Sequence, residues 1–187
     1  MARLSTTLAT RALFQHAAKH RRLERFLAQG QRRALTRSAG EAQRAKTRAI
    51  LSKFNLRDTE FSSIRPVRAL FTDWVQGDTL IERVNGPKGI PVKHFGARQD
   101  GSGLVYSFRR GRQSRIRSGF VIRSFGSHGF TRKGRSRGPL RKRFGPGIPT
   151  MSDQPDIRQI GAEAFQVRVQ TEVRKEETRA FKRAKLL

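Results

Sequence analysis

The hydrophobic residues of this chain change their spacing twice along the sequence. Residues 1–56 contain no proline and place leucine and alanine at helical spacing. From residue 57, short runs of valine, isoleucine and phenylalanine are separated by turn signals such as "NGPKG" at residues 85–89. Helical spacing returns after Pro155. Helices, then strands, then a helix predict an α+β fold rather than an alternating α/β fold.

The 187 residues fit one domain of ordinary size with one hydrophobic core. We therefore predict a single domain, 1–187, built from four consecutive regions. These are N-terminal helices (1–56), a central antiparallel sheet of four to six strands (57–136), a basic connection rich in Pro and Gly (137–154) and a C-terminal helix (155–187).

Three local patterns predict details of this fold. Ser38 followed by Glu41 has the spacing of a capping box and predicts the start of a second N-terminal helix at Ser38. The pair Asp100-Gly101 suits a hairpin turn, because both residues tolerate a positive φ. A helical stripe predicts the buried face of the C-terminal helix, and its members are Ile157, Ile160, Ala164, Val167 and Thr171.

The charge is the strongest constraint on function. The chain has 41 Lys and Arg against 14 Asp and Glu, a net charge of +27, and 31 of the 41 are arginine. Between Gly101 and Ser152 there are thirteen cationic residues and no acidic one. Such a balance implies polyanionic surroundings: nucleic acid, an acidic protein or both. Candidate contacts with DNA or a partner are Arg109, Arg110, Arg112, Arg115, Arg117, Arg132, Arg135, Arg137, Arg141, Lys142 and Arg143.

No pattern of reactive side chains indicates an enzyme. The chain has no cysteine, so disulfides, thiolate metal sites and cysteine nucleophiles are excluded. His16 and His20 have the spacing of a two-histidine metal face, but no glutamate follows His16 and two arginines adjoin His20. Glu176 and Glu177 lie in a helical charge run that is typical of a solvated face. We therefore predict no catalytic residue, no metal, no cofactor, no small-molecule ligand and, since the apolar runs are short, no membrane span.

Two further segments leave alternatives open. Phe120, Phe125 and Phe130 are interleaved with Arg123, a pattern found both in stacking platforms for single-stranded nucleic acid and in ordinary strand pairs that bury phenylalanine. The second pattern is the more common. Residues 1–23 are rich in Arg, Ser, Thr and Ala and contain no acid. They resemble a mitochondrial transit peptide in composition, although an amphipathic helix of the mature protein is the favoured interpretation.

The segment "RGPLRKRFGPGIPTM", residues 137–151, is here called the docking segment. It is unlike a phosphate-binding loop, since no Gly-Lys-Ser/Thr follows and its prolines lack the amide donors that such a loop uses. It is also unlike a flexible linker, because apolar residues recur every four positions among the turn formers. We predict a rigid basic connection that contacts a partner through Pro139, Phe144, Gly145, Pro146, Ile148 and Pro149.

The same segment resembles the phage lambda minor tail protein Z family, a group of neck or tail-completion proteins of tailed phages. Arg137, Pro139 and Leu140 match the family's Arg-Leu-Pro-Ile tetrad, and Phe144 matches the aromatic residue that follows. The family's Gly-Pro-Ser-Ile/Val-Pro and Met correspond to residues 145–151. Further blocks match in order, namely "HFGARQDGSGLVYSF", "IRSGFVIR", "GFTRKG" and the terminal "AKLL", so that the resemblance covers residues 92–187. Departures from the pattern are Gly138, Arg143 and Gly147.

The resemblance implies a structural virion protein, located in the neck or tail and present in the bacterial host cytoplasm during assembly. Such proteins complete the tail and join it to the DNA-filled head. The implied partners are neighbouring neck, tail-terminator and head-closure proteins, further copies of the chain in an oligomeric ring, and phage DNA in the channel. From charge alone, the alternative is a basic nucleic-acid-binding protein. It would be either a ribosomal protein, including one of the mitochondrial ribosome, or a nucleoid-associated protein.

Overall fold

The computed structural model describes residues 2–56, 71–76, 79–134 and 138–184. Its helices are α1 (Ala2–Lys53), α2 (Ile148–Ser152) and α3 (Pro155–Arg183). Two 3-10 helices cover Val92–Phe95 and Arg123–Phe125. The strands are β1 (Phe71–Gln76), β2 (Thr79–Val84), β3 (Gly89–Pro91), β4 (Arg98–Asp100), β5 (Gly103–Arg109), β6 (Arg112–Ile116), β7 (Gly119–Ile122), β8 (His128–Arg132), β9 (Leu140–Lys142) and β10 (Phe144–Pro146).

The strands form several small sheets. β1 pairs with β2, β3 pairs with β10, and two three-stranded sheets have the orders β4-β5-β6 and β7-β8-β9. The last three of these sheets are antiparallel throughout. The α+β class is therefore confirmed, whereas the strands are divided among sheets of two and three rather than joined in one central sheet. The first of the short apolar runs that predict strands, "VRALF" at residues 67–71, lies almost wholly outside the described residues.

The N-terminal region is one continuous helix, so the prediction of a new helix at Ser38 is wrong. Ser38 is fully buried within α1, and its hydroxyl donates to the Ala34 carbonyl at 2.7 Å. A serine hydroxyl can bond the preceding turn of its own helix as well as cap a new one. The same helix begins at Ala2, which is compatible with both interpretations of residues 1–23.

The described chain divides into two compact units. Unit 1 comprises Met1–Ala42, Asp73–Ile81 and Glu163–Leu187, and unit 2 comprises Gln43–Thr72 and Glu82–Ala162. The prediction of one folding domain is a separate question and stays a prediction.

In unit 1, α1 and α3 approach closely through small side chains. Ala34 and Ala180 are both buried, and a methyl group on Gly30 would lie 3.0 Å from the Cβ of Glu176. A side chain at position 30 would therefore require Glu176 to shift by a few tenths of an ångström. Small residues at such a contact let two helix backbones come together and bring long side chains across the interface.

Two buried glutamates join these helices. Glu172 and Glu176 are 2% and 3% exposed. Glu176 accepts hydrogen bonds from Arg33 at 2.8 Å and from Arg37 at 3.0 Å, both on α1. The prediction that Glu176 lies on a solvated face is therefore wrong, while its neighbour Glu177 is exposed as expected. Further cations on α3 complete the cluster, and these are Arg168, Lys175 and Arg179.

The core of unit 2 collects apolar residues from distant parts of the chain. The end of α1 contributes Ile50 and Phe54, and buried residues from every later region join them. The others are Ala49, Leu56, Ile90, Phe95, Ile148, Met151 and Ile157. Two backbone hydrogen bonds attach the end of α1 to β5 and the turn after it, from the Asn55 amide to the Phe108 carbonyl and from the Arg110 amide to the Lys53 carbonyl.

The hairpin predicted at Asp100-Gly101 is confirmed, with a difference in detail. Asp100 pairs with Gly103 across β4 and β5, and the Asp100 carboxylate accepts hydrogen bonds from the Ser102 amide and hydroxyl at 2.9 Å each. The residue with positive φ is Gly103, at 140°, rather than either residue of the predicted pair. Asp100 instead closes the turn through its side chain.

The C-terminal helix begins at the predicted position but buries a different face. Ile157 is fully buried, whereas Ile160 is 36% and Val167 71% exposed. The face toward α1 instead carries Glu172 and Glu176. None of the helices described in residues 2–56 and 138–184 has the length and apolar character needed to cross a bilayer.

Candidate functional site

The candidate site is one face of the β7-β8-β9 sheet in unit 2. The strand register places Phe120 opposite Phe130, and Phe130 opposite Lys142. Residues directly opposite one another point to the same side of an antiparallel sheet, and alternate residues along a strand share that side. This side, called the outward face below, carries Phe120, Ile122, His128, Phe130, Arg132, Leu140 and Lys142.

The opposite side of the sheet is packed, which fixes the direction of the outward face. Thr131 is 2% exposed on this inner side. A methyl group added to Gly129 would lie 2.6 Å from the Cγ2 of Val92 and 2.7 Å from a methyl of Leu104. A methyl group on Gly119 would also collide with Leu104. Glycine and threonine therefore allow the inner side to press against these residues, and the phenylalanines point away from that contact.

The outward face presents aromatic rings at its surface. The Phe120 and Phe130 rings are stacked, with centroids 6.5 Å apart and planes at 30°. Phe125, in the 3-10 helix after β7, lies 6.3 Å from Phe130 and is 61% exposed. Phe144, just beyond β9, is 53% exposed. The interpretation in which this strand pair buries its phenylalanines holds only in part, because Phe120 and Phe130 are half-buried whereas Phe125 is exposed.

Cationic groups lie beside these rings. The Arg132 guanidinium is 5.5 Å from the centre of the Phe120 ring, and the Lys142 ammonium is 5.6 Å from the centre of the Phe144 ring. Both distances suit cation–π contact. A further ammonium comes from Lys93, which donates to the Gly126 carbonyl at 3.5 Å. No residue between Gly101 and Ser152 is acidic, so the strands of this sheet supply no counter-charge.

His128 is held neutral by its surroundings on this face. Its Nε2 lies 3.0 Å from the Lys142 ammonium. Because an ammonium can only donate, Nε2 accepts this hydrogen bond, and the proton of the neutral ring is assigned to Nδ1. Burial lowers the pKa of His128 below its ordinary value of 6.5, and the charges of Lys142, Lys93 and His94 lower it further. The Nδ1 atom is buried and has no hydrogen-bond partner among the described residues.

Five of the predicted arginines lie elsewhere, around β5 and β6, and are exposed. Three of them contact other protein groups: Arg109 donates to the Gln154 side chain at 3.2 Å, Arg110 to the Leu51 carbonyl at 3.1 Å, and Arg115 pairs with Asp100 at 2.7 Å. Arg112 and Arg117 are the remaining two. The predicted contact residues are thus divided between two sheets.

The other predicted cations are close to the outward face without all joining it. Arg132 and Lys142 belong to it, whereas Arg141 lies opposite Thr131 and so on the inner side, at the exposed edge strand. Arg143 is half-buried, and its backbone bridges the Gly129 carbonyl and the Val92 amide. Arg135 and Arg137 lie outside the described residues.

The docking segment is partly core. Ile148 is fully buried with Met151 in unit 2, so Ile148 is a core residue and not an accessible contact. Gly145 packs against the rings of Phe95 and Phe108, with no space for a side chain. Pro146 and Pro149 are half-buried, and the exposed positions among the described residues of the segment are Gly138, Pro139, Leu140, Arg141, Phe144 and Thr150.

A second surface feature of unit 2 is an open groove of about 830 Å³ beside the start of α3. Arg158 and Asp153 in its wall form an ion pair with each other. Among the described residues, no group of three or more His, Asp and Glu side chains is arranged to hold a metal ion. The groove therefore offers no reactive group comparable with the rings and cations of the outward face.

The sequence identifies Phe120, Phe125 and Phe130, but it does not show that His128 and Phe144 lie beside them around Lys142. Phe144 was assigned to partner docking, and its contact with Lys142 joins it to the rings of the sheet. His128 carried no recognisable signal, because its pairing with Lys142 depends on the alignment of β8 with β9.

Comparisons with known proteins add no family to this description. No protein-family model matches the chain, and no significant match was found among curated proteins or among solved structures.

Proposed function

We propose that this chain is a structural virion protein of a tailed bacteriophage, a neck or tail-completion component needed to join head and tail around the DNA channel. The proposal rests on the resemblance of residues 92–187 to the minor tail protein Z family. Its strongest support is the docking segment, in which Ile148 and Met151 anchor one end in the core while Leu140 and Phe144 stay exposed at the other.

An anchored segment of this kind suits docking onto a neighbouring protein. Its backbone is held by the pairing of β10 with β3, with Phe144 opposite Pro91. A side chain presented from an ordered strand loses less conformational entropy on binding than one on a free loop. Exposed aromatic and basic residues are also the types that contribute most to protein interfaces.

The proposed surroundings account for the charge. A net charge of +27 repels itself unless it is balanced by acidic proteins or DNA. Neighbouring neck, tail-terminator and head-closure proteins and the DNA of the channel would provide both. We also propose that the chain acts as a homo-oligomeric ring, in which each copy repeats the same cationic surface around the channel.

A deletion phage tests this function. Without the gene, we expect filled heads and completed-length tails that do not join, together with a large loss of infectious titre. Supplying the wild-type chain in trans should restore joining, and supplying the double variant Leu140→Ala/Phe144→Ala should restore it poorly. The variant Phe181→Ala, which alters an exposed phenylalanine of α3, is the matched control and should complement fully. Undiminished titre in the deletion phage would contradict the proposal.

The second candidate function is that of a basic nucleic-acid-binding protein. It would be either a ribosomal protein, including one of the mitochondrial ribosome, or a nucleoid-associated protein. The observation in its favour is the outward face, where exposed rings and cations adjoin. This function predicts that the chain co-purifies with ribosomes or nucleoids from its cell rather than with virions. It also predicts tight binding of nucleic acid by the isolated chain, with an affinity that falls steeply as salt rises.

A further inference from the structure

We propose that the outward face is a binding site for single-stranded nucleic acid, with bases stacked on Phe125 and Phe144 and phosphates paired with Arg132 and Lys142. This inference concerns the chemistry of one face of unit 2. It goes beyond a role in the virion and shares Leu140 and Phe144 with the docking segment. The deletion phage tests the virion role, and binding of oligonucleotides by the purified chain tests this inference.

Two phenylalanine rings are exposed at this face. Phe125 and Phe144 are 61% and 53% exposed, although burying such a side chain is normally favourable by about 1.5–3 kcal/mol. They lie at opposite ends of a continuous series of neighbours. Phe125 contacts Phe130, Phe130 is opposite Lys142 in the sheet, and Lys142 lies over Phe144. The series therefore crosses the strands and presents aromatic surface at both ends.

Rings and cations alternate across this face. Arg132 adjoins Phe120 and Lys142 adjoins Phe144, so each cation is next to aromatic surface. A single strand repeats the same two chemistries, a flat base and an anionic phosphate. Aromatic side chains that receive bases, within a positive surface that follows the backbone, are the recurrent solution for binding single strands.

A second copy of the chain, duplex nucleic acid and an acidic peptide each fit the outward face less well than a single strand does. A second copy docked face to face would bring Arg132 and Lys142 against the same cations, which is unfavourable. Duplex nucleic acid would satisfy the cations, but its bases are stacked on each other and leave the rings without a partner. An acidic peptide would likewise engage the cations and offer no flat group to the rings. Single strands match both features.

The test is a titration of the full-length chain against a fluorescent oligothymidylate of about a dozen nucleotides and against a duplex of the same length. Anisotropy is followed at several salt concentrations. The variants are Phe125→Ala, Phe144→Ala, their combination, Phe125→Trp and Arg132→Gln. The control is Phe181→Ala on α3, which is also exposed and lies in unit 1. Circular dichroism establishes that each variant keeps the wild-type secondary structure.

If the outward face binds single strands, each Phe→Ala change weakens oligothymidylate binding by about 5- to 100-fold, since one stacked base is lost. Duplex binding and the salt dependence change little, because no phosphate contact is removed. Phe125→Trp retains the affinity. Arg132→Gln instead reduces the slope of log affinity against log salt by about 1. Phe181→Ala behaves as wild type.

Two results overturn the inference. If the double variant Phe125→Ala/Phe144→Ala binds the single strand as tightly as the wild-type chain, binding is only electrostatic coating by a cationic protein. If those changes instead weaken binding of poly-glutamate while the affinity for the single strand is unchanged, the face serves an acidic protein. Either result leaves the virion role intact, because that role is tested by the deletion phage.

Discussion

Glu176 shows how single residues hold unit 1 together. The carboxylate is almost fully buried, yet it receives hydrogen bonds from Arg33, Arg37 and Arg179, whose own side chains remain about half exposed. A buried carboxylate is tolerable only when its oxygens are occupied in this way. The arginines can place their charged ends at the edge of the interface because their long stems cover its apolar part.

Removing this carboxylate should weaken the contact between α1 and α3. We expect Glu176→Gln to lower the free energy of unfolding by about 1–3 kcal/mol, because the negative charge and one of the two acceptor oxygens are lost while the amide stays buried beside three guanidinium groups. Urea denaturation monitored by circular dichroism measures the change. Glu177→Gln, at the exposed neighbouring position, is the matched control and should have no measurable effect. Equal stability of the two variants would show that the cluster contributes nothing.

The same cluster predicts how stability responds to acid. Burial acts to raise the pKa of Glu176, but hydrogen bonds from Arg33 and Arg179 outweigh it and the pKa lies below the ordinary value of 4.5. For Glu172 burial is likewise outweighed, by Lys175 and Arg37. Their contribution is therefore complete above pH 4.5 and is lost as the pH falls below it. In urea denaturation, the free energy of unfolding of Glu176→Gln should fall less steeply than that of the wild-type chain as the pH is lowered through this range. The same pH dependence in both proteins would be evidence against the pairing.

His128 acts in a different pH range. Its pKa is lowered below 6.5 by burial and then by Lys142, so the unfolded chain takes up a proton before the folded chain does. The contribution of the neutral His128 ring to stability is therefore complete above pH 6.5 and is lost as the pH falls through that value. Denaturation between about pH 7.5 and pH 5.5 should show a smaller decline for His128→Gln than for the wild-type chain. An identical decline in both would mean that His128 is not held neutral.

At the scale of elements, the continuity of α1 can be tested with a matched pair of glycines. A methyl group on Gly40 would meet no atom within 4 Å, whereas one on Gly30 would lie 3.0 Å from the Cβ of Glu176. In a helix interior, Gly→Ala stabilises by about 0.5–1 kcal/mol where there is space. We expect Gly40→Ala to be stabilised by this amount in thermal denaturation. Gly30→Ala should be stabilised less or be destabilised. A destabilised Gly40→Ala would favour the helix break predicted from the capping box at Ser38.

The docking segment should divide into a structural and an exposed half. Ile148→Ala is expected to cost about 2–5 kcal/mol, because the isoleucine is fully buried in the core of unit 2. Leu140→Ala, 41% exposed on an edge strand, should change stability by less than about 0.5 kcal/mol. Chemical denaturation of both variants measures the difference. Similar costs for the two positions would mean that the segment packs as a single unit.

Helix α3 shows why periodicity alone misplaced its buried face. The predicted stripe includes Val167, which is 71% exposed, while Glu172 and Glu176 face α1. Hydrophobic spacing predicts the buried face of a helix from the apolar character of that helix's own residues. It has no access to the arginines of a partner helix 135 and 139 residues away in sequence, which make the burial of glutamate favourable here.

For the whole molecule, the sequence was sufficient for those features that local patterns determine. The α+β class, the start of α3 and the hairpin at Asp100 follow from composition, periodicity and turn chemistry. The pairing of β3 with β10 and the alignment of β8 with β9 depend on contacts between distant residues and had no local signal. For the candidate site, the phenylalanines could be named from the sequence, but their exposure could not. The direction in which Phe120 and Phe130 point follows from Gly119 and Gly129, which let the other side of the sheet pack against Leu104.

The charge of +27 is also a property of the whole molecule, and it connects the proposals. Most of the predicted contact arginines are exposed on unit 2, in two separate sheets. Such a surface increases the rate of encounter with any polyanion. Specific contacts must then come from the parts that are not only cationic, namely the outward face and the exposed half of the docking segment.

The most direct test of the central claim is a cryo-electron microscopy map of purified virions of the phage that carries this gene. We expect density for the chain at the neck, between the head and the tail, in several symmetry-related copies around the DNA channel. Virions of full infectivity whose neck contains no density for this chain would contradict it.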